Sequence, residues 1–124
     1  MNWETLKHIY KEVLIYKSTI QYHGENKYTI TNHYPNGNKY WEREYQNDQL
    51  HGKSIRWRRN GKKVWEEEYK NGQLHGKYIG WYKNGNPQWE DEYQNDLRHG
   101  KSIEWWENGN KWWEYEYQNG VIVK

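Results

Sequence analysis

Three histidines, each followed by Gly-Lys, are the side chains in this chain best suited to metal binding or proton transfer. They are His51, His75 and His99, spaced 24 residues apart. Neutral imidazole is a common ligand of transition metals, and its pKa lies close enough to neutrality for acid–base catalysis. A site that used these histidines would have to bring at least two of them to the same ion or substrate.

Carboxylate pairs are the second candidate for chemistry. Glu66 and Glu68 are two residues apart, which on a strand places both carboxylates on one face, about 6.6 Å apart along the backbone. Paired carboxylates perform acid–base catalysis in glycoside hydrolases. No carboxylate stands apart as a unique acid, so bonding to Lys, Arg or Ser on neighbouring strands is the plainer explanation. The same pair recurs as Glu42 with Glu44, Glu90 with Glu92, and Glu114 with Glu116.

The spacing of these residues reflects an internal repeat of 24 residues. Asn-Gly pairs fall at 36–37, 60–61, 84–85 and 108–109, and a Trp follows four residues after each Gly. Self-similarity at this period is typical of an array whose units stack on their neighbours. Because an enzyme site is normally built from residues that occur once, the repeat predicts a non-catalytic scaffold. We expect no catalytic, cofactor-binding or metal-binding residues.

Within each repeat, ring-bearing and acidic positions alternate with a period of two. Trp65, Glu67 and Tyr69 alternate with Glu66 and Glu68, and successive turns lie 11 and then 13 residues apart. Such alternation between Asn-Gly turns predicts strands joined by hairpins, with no room for a crossover helix. We predict an all-β fold: one elongated, twisted antiparallel β-meander of stacked hairpins with about nine or ten strands.

This strand arrangement argues against metal binding by the repeated histidines. Equivalent positions in adjacent repeats would lie two strands apart, about 9.5 Å. Zinc–nitrogen bonds are about 2.0–2.1 Å long, so two such histidines cannot share one ion. We expect the three histidines to support the backbone of neighbouring turns instead.

The turn Pro35-Asn36-Gly37 sets the predicted register. Pro favours the first central position of a type I turn, and Gly then supplies a positive φ in a G1 bulge; a two-residue type I′ turn is the alternative. With the three-residue loop, Arg58 pairs with Lys62 and Ile55 opposes Trp65. The carboxylate pair then lies on the opposite face from the repeated rings. The predicted apolar face holds Ile55, Trp57, Trp65 and Tyr69, with Trp81, Trp89, Trp105 and Trp113 at equivalent positions.

The N-terminal segment departs from the repeat. We predict a cap over residues 1–32, made of a short helix and degenerate strands, followed by four repeats over 33–124. A helix over 2–10 would use Asn2 as its N-cap. Its apolar side, expected to pack on the sheet, consists of Trp3, Leu6, Ile9 and Tyr10. Residues 13–22 are β-branched and aromatic enough to form a strand.

The repeated motif resembles a known family. The pattern Trp81-Tyr82-Lys83-Asn84-Gly85, continued by Glu92-Tyr93-Gln94-Asn95 and His99-Gly100-Lys101, resembles the 24-residue variant of the MORN repeat. The similarity covers about residues 33–120. It implies an elongated antiparallel sheet of hairpins that serves as a binding or assembly module. Family members have been linked to membranes and phosphoinositides, to dimerisation and cytoskeletal scaffolding, and a bacterial group is described as antitoxin-like. Here Trp stands where many relatives carry Tyr or Phe, and Phe is absent.

The last repeat carries two Trp residues outside the repeated set. Trp106 and Trp112 are expected on the solvent side near the C-terminal end of the sheet, beside a short apolar segment of Val121, Ile122 and Val123. Open sheet edges pair readily with further strands. We predict that these five residues contact a partner protein or a second copy of the chain, in a complex that resists salt.

A basic cluster on one hairpin is the alternative site. It consists of Arg56, Arg58, Arg59, Lys62 and Lys63, and the other repeats lack it. Such a cluster attracts phosphate, an anionic lipid headgroup or an acidic protein surface. The sequence pI of about 8.6 and the Glu-rich flanks argue against nucleic acid, because they leave no extended basic track.

Composition sets the remaining bounds. The mean hydropathy is −1.57, but 10 Trp and 13 Tyr supply a thin core. The absence of Cys excludes disulfides and thiolate chemistry. With no long apolar run and no leader pattern, we expect an intracellular protein, soluble or peripheral to a membrane. Abundant Asn, Lys, Tyr and Ile suggest an AT-rich genome, such as that of a giant virus or certain bacteria.

Overall fold

Residues 2–124 form one helix and a single ten-stranded sheet in the computed structural model; Met1, the first residue of the predicted cap, lies outside the described residues. The predicted antiparallel meander is confirmed, because the spatial order of the strands follows their order in the chain and leaves β1 and β10 as open edges. The elements are α1 (Trp3–Leu14), β1 (Thr19–Gly24), β2 (Lys27–His33), β3 (Lys39–Gln46), β4 (Gln49–Trp57), β5 (Lys63–Lys70), β6 (Gln73–Trp81), β7 (Pro87–Gln94), β8 (Leu97–Trp105), β9 (Lys111–Gln118) and β10 (Val121–Ile122).

Two kinds of turn alternate along the sheet. At the first kind, the Gly37 N–H donates to the Tyr34 carbonyl at 2.9 Å and Gly37 has φ of 92°, which is the predicted three-residue loop with a G1 bulge. At the second kind, both central residues have positive φ, as in Asn47 (51°) and Asp48 (64°). These are type I′ turns, and Asp48 occupies the left-handed region, which Asp tolerates at modest cost.

The register differs from the prediction by one residue. The Arg58 N–H donates to the Lys62 carbonyl at 2.7 Å, as expected for the loop. Beyond it Trp57 pairs with Lys63 but Arg56 pairs with Trp65, so Val64 is an extra, bulged residue. Ile55 therefore opposes Glu66, and the prediction that it opposes Trp65 was wrong.

The bulge redistributes side chains between the two sides of the sheet. Ile55 and Trp57 lie with Glu66 and Glu68, on the side we call the Glu–Lys face, and Trp65 lies on the other side, the aromatic face. The predicted single apolar face is thus wrong, and the repeated Trp residues are divided between the two sides. Side chains of the aromatic face include Trp41, Arg43, Tyr45, Trp65, Glu67, Tyr69, Tyr78, Trp89, Asp91, Tyr93, Glu104, Trp113, Tyr115 and Tyr117.

A second irregularity explains why Gly and Glu recur together. Gly52 has φ of 110°, and the Lys53 N–H beside it donates to Glu44 Oε2 at 3.1 Å. At the equivalent site in the next repeat, a Cβ on Gly76 would lie 2.6 Å from Glu68 Oε2. The carboxylate thus occupies the space that a side chain at the Gly would need.

The repeated histidines support turn backbone at two of the three positions. His51 Nδ1 accepts from the Asn71 N–H at 3.1 Å, and His99 Nδ1 accepts from the Asn119 N–H at 3.4 Å. His75 Nδ1 has no hydrogen-bond partner within residues 2–124. The prediction is confirmed for His51 and His99.

The N-terminal helix forms, but in an unexpected orientation. Asn2 Oδ1 accepts from the Thr5 N–H at 2.8 Å, which confirms the N-cap. The helix continues to Leu14, so the strand predicted over 13–22 shortens to β1. The apolar side, predicted to pack on the sheet, is instead exposed: Trp3 is 69% and Tyr10 67% accessible.

Polar side chains attach the helix to the aromatic face. Glu12 lies 3.4 Å from the buried Arg43 guanidinium and accepts a hydrogen bond from Ser18 at 2.9 Å. Tyr28 and Ile30, with 1% and 0% exposure, are the buried apolar residues of this region. Thr5 and His8 also bond to Asp48 and Tyr28, so a set of polar contacts, with the costly burial of the Arg43 guanidinium among them, holds this side of α1 on the sheet.

Candidate functional site

The outer side of β9 is open over most of its length. β10 is only two residues long and pairs Val121 with Gln118 and Ile122 with Tyr117. Within residues 2–124, no strand lies beside residues 111–115 on this side. We call this open side, together with Trp106, Trp112 and residues 121–123, the C-terminal edge.

Backbone groups on the open part are positioned to pair with another strand. The Glu116 N–H donates to the Lys124 carbonyl at 3.2 Å, and the Glu116 carbonyl accepts from the Val123 N–H at 2.9 Å. Groups that point outward recur at every second residue of a strand. The N–H and carbonyl of Glu114 therefore also point outward, where no strand meets them within residues 2–124.

The structure brings Trp106 and Trp112 together. Their ring centroids are 5.0 Å apart, and the side chains are 49% and 55% exposed. Trp112 occupies the bulge, the position of Val64 in an earlier repeat. Exposed apolar clusters on a protein surface are typical of contact sites.

Val121, Ile122 and Val123 are also exposed, but they lie at the far end of the edge. Ile122 pairs with Tyr117, five residues along β9 from Trp112, which corresponds to about 16 Å. The residues predicted to form one contact thus form two apolar groups on one edge. The open backbone of residues 113–115 lies between them.

The hairpin tips show how one repeat binds the next. The Tyr34 hydroxyl donates to the Trp57 carbonyl at 2.7 Å, and the Tyr82 hydroxyl donates to the Trp105 carbonyl at 2.7 Å. Trp106 takes the same position in the last tip. No further tip lies beyond it within residues 2–124.

Asparagine side chains repeat this arrangement. Asn84 and Asn86 both donate to the Glu107 carbonyl at 3.0 Å. In the last tip, Asn108 Oδ1 accepts from the Asn110 N–H at 2.9 Å, the same internal bond that Asn84 makes with Asn86. The last tip therefore has the conformation of its predecessors, and its side-chain amide groups donate to no acceptor within residues 2–124.

Arg56, Arg58 and Arg59 of the basic cluster predicted on the β4–β5 hairpin line one shallow cavity, and the five residues of the cluster make different contacts. The Arg58 side chain donates to the Trp81 carbonyl at 3.0 Å, so it joins two repeats. Lys63 pairs with Glu66 at 3.1 Å on the Glu–Lys face. Arg56 lies on the aromatic face, 4.4 Å from the centre of the Tyr40 ring. Arg59 lies near Tyr34, and Lys62 belongs to the turn.

Glu66 shows that the lysines of the Glu–Lys face bind carboxylates of the same face. Burial alone would raise the pKa of Glu66, but hydrogen bonds from Lys53 and Lys63 outweigh burial and lower the pKa below its ordinary value. Lys53 lies 3.0 Å from the carboxylate. The first Glu of each carboxylate pair is likewise a partner of Lys, as in Glu42, Glu90 and Glu114.

Each carboxylate pair is followed by a Tyr, which gives a Glu-x-Glu-Tyr block in every repeat, and sequence reasoning missed the residue between the two Glu residues. These middle residues lie on the aromatic face: Arg43 pairs with Glu12, and Asp91 accepts a short hydrogen bond from Ser102. Burial raises the pKa of Glu67, and a hydrogen bond from the Tyr69 hydroxyl at 3.0 Å opposes that effect in part. The sequence did contain an indication of their importance, because the charge at this position changes between repeats while the neighbouring residues stay the same.

No protein-family model matches the chain, and comparisons with curated proteins and with solved structures found no similar protein.

Within residues 2–124, no helix combines the length and the apolar character needed to cross a membrane.

Proposed function

We propose that the chain is a non-catalytic scaffold of MORN-type repeats, which binds an extended segment of a partner protein at its C-terminal edge. In this proposal residues 33–124 are the binding array and residues 1–32 are its cap. The observation that carries the proposal is the open backbone of Glu114, flanked by the exposed ring pair and by Val121–Val123. Strand addition to such an edge combines main-chain hydrogen bonds with side-chain contacts on both faces.

The proposal that the scaffold is non-catalytic rests on the contacts of the repeated polar residues. Two of the three histidines suited to chemistry, His51 and His99, bind turn backbone, and the carboxylates of the Glu–Lys face bind lysines or occupy the space beside a Gly. Each of these contacts recurs along the array. A catalytic group would need a role that differs from that of its equivalents.

The preceding repeats indicate which segment the edge accepts. On the equivalent edge of β7, the strand β8 pairs Ile103 with Glu90 and Ser102 with Asp91. Glu114 and Tyr115 take the places of Glu90 and Asp91 in β9. The fitting partner is therefore an extended segment in which a β-branched residue opposite Glu114 alternates with small or polar residues.

A synthetic peptide with the sequence of β8 tests the proposal. We expect it to bind the chain and to slow hydrogen exchange at the Glu114 amide, while a scrambled peptide of the same composition does neither. The measurements are fluorescence titration of the labelled peptide and amide exchange followed by NMR.

A proline substitution supplies the matched control. Glu114→Pro removes the outward N–H without removing a bond to β8, since edge strands tolerate proline where the N–H points away from the sheet. Glu114→Gln keeps the N–H. Peptide binding that fails for wild type, or that survives Glu114→Pro unchanged, contradicts edge pairing.

A second candidate is binding of phosphate or an anionic lipid headgroup by the β4–β5 hairpin. It is favoured by Arg56, Arg59 and Lys62, which have no carboxylate within 4.0 Å among residues 2–124. The test is co-sedimentation with phosphoinositide-containing vesicles, using a triple Ala variant of these residues that leaves Arg58 in place. Vesicle binding that the triple variant does not weaken contradicts this candidate.

A further inference from the structure

The outer side of α1 is an apolar stripe that nothing covers within residues 2–124. Trp3, Leu6, Tyr10 and Leu14 follow one another at helical spacing, and all four are exposed. Trp3, Leu6 and Tyr10 enclose a shallow cleft together with Lys7. Because the polar side of α1 is committed to Arg43 and Asp48, the helix cannot bury this stripe against its own sheet.

The other end of the aromatic face presents a surface of the opposite character. The contacts of α1 reach as far as the Asp48 turn, and beyond it the rings of Trp65, Tyr78 and Trp89 form an edge-to-face row that is half-buried. Glu104 lies between Trp89 and Trp113 on the same face. No second layer lies over these rings within residues 2–124.

The two surfaces match in polarity and in charge. The stripe is flanked by Lys11 and by Lys7, which pairs with Glu4 at 3.0 Å. The rings are flanked by Glu67 and Glu104, with Arg98 also on that face. The contrast extends to the whole chain: residues 1–63 hold 12 Lys and Arg against 6 Asp and Glu, a charge of +6, and residues 64–124 hold 7 against 11, a charge of −4. Complementary charge around an apolar centre favours association and determines its orientation.

We infer that the outer side of α1 docks on the uncovered rings of the aromatic face in a second copy of the chain. The second copy supplies the layer that the first lacks, and the helix is then packed on both sides: polar contacts to its own sheet and apolar contacts to its neighbour. This contact is separate from the C-terminal edge, and neither proposal depends on the other.

The absence of Cys in the chain permits a direct test by single-cysteine crosslinking. Lys7→Cys places a thiol beside the stripe, and Glu104→Cys places one between the Trp rings. We expect the mixture of the two variants to form a disulfide-linked pair on mild oxidation, to a greater extent than either variant alone. The matched control is Lys101→Cys, which lies on the same strand but on the Glu–Lys face and should not crosslink with Lys7→Cys.

Light scattering at increasing concentration supplies the second readout. Tyr10→Glu should lower the association constant by about tenfold or more, because the contact would bury an unpaired carboxylate. Leu97→Glu, which introduces the same charge at an exposed apolar position on the Glu–Lys face, should leave self-association unchanged.

Three results would overturn the inference. One is a heterotypic crosslink no stronger than that of the Lys101→Cys control. Another is self-association that Val121→Glu abolishes and Tyr10→Glu does not, which would assign the contact to the C-terminal edge. The third is a monomer at all concentrations whose Tyr10 mediates binding to anionic lipid vesicles, which would make a membrane the occupant of the stripe.

Discussion

The two ends of the aromatic face are built from the same 24-residue repeat but differ in how well they are buried. Under α1, Tyr28 and Ile30 are almost inaccessible, and the Tyr28 and Tyr45 rings stack at 5.2 Å. At the other end, Trp65 and Trp89 meet Tyr78 edge-on but keep part of their surface in solvent. A single-layered sheet buries its rings only against neighbouring strands, and full burial requires a second layer.

The variable position of the Glu-x-Glu-Tyr block shows how the repeat accommodates this difference. In the covered half it is Arg43, whose partner Glu12 comes from α1. In the uncovered half it is Glu67 or Asp91, and the partners Tyr69 and Ser102 belong to the sheet itself. The residue at this one position of a repeat thus determines whether its side chain needs a partner from α1.

The largest expected effect follows from breaking the ion pair between cap and sheet. Glu12→Ala should destabilise the fold by about 3–5 kcal/mol, because it leaves a buried guanidinium without a carboxylate. Both side chains are 9% exposed, so solvent cannot replace the lost partner. The measurement is urea unfolding, with Glu4→Ala as the control, since Glu4 pairs with Lys7 on the exposed side of α1. Equal costs for the two variants would mean that α1 contributes nothing to the covered half.

Truncation of a core residue tests the burial difference itself. Ile30→Ala should cost about 2–5 kcal/mol, the range for a buried aliphatic side chain. Ile79→Ala makes the same chemical change at a half-buried position on the Glu–Lys face and should cost less. Unfolding curves for both variants give the comparison, and a larger cost at Ile79 would place the core outside the region under α1.

The meander and its turns could be predicted because local chemistry determines them. Asn-Gly and Pro-Asn-Gly have strong turn preferences, and alternation between turns leaves little choice but hairpins. Register could not be predicted in the same way. Strand β4 carries Ile55 and Trp57, and β5 carries Trp65 and Tyr69. The bulge at Val64 places these two pairs on opposite faces, and the apolar pattern of the sequence fits this register as well as the predicted one.

The orientation of α1 and the contacts of the basic cluster depend on residues that are distant in sequence. An apolar stripe normally faces the core, and the polar contacts of α1, among them that of Glu12 with the buried Arg43, 31 residues away, reverse that expectation. Arg58 is bound to a carbonyl 23 residues away, which spacing alone does not reveal. The exposure of Trp106 and Trp112 could be predicted, because neither belongs to the repeated set.

A smaller effect is expected from the glycines that the two halves share. Gly52 and Gly100 have φ of 110° and 109°, and at each a Cβ would collide with the second Glu of the neighbouring block. Gly52→Ala and Gly100→Ala should each cost about 1–3 kcal/mol, since alanine is strained at this φ. Thermal unfolding should give similar losses, because the strain is local. A much larger loss of stability for Gly52→Ala than for Gly100→Ala would show that the α1 cap adds to the strain at Gly52.

The smallest effect concerns Glu67, the uncovered counterpart of Arg43. Burial raises the pKa of Glu67, although the Tyr69 hydroxyl partly offsets this by hydrogen bonding to the carboxylate. The folded chain therefore holds a proton at pH values where the unfolded chain has released it, so stability falls as pH rises from the unfolded pKa, near 4.5, through the folded one. Glu67→Gln removes this dependence, and its melting temperature should exceed that of wild type at pH 7 and match it near pH 3. Tyr69→Phe removes the offsetting bond and should extend the decline to higher pH. A Glu67→Gln variant less stable than wild type at pH 7 would show that the uncovered half, like the covered one, requires an ionised partner at this position.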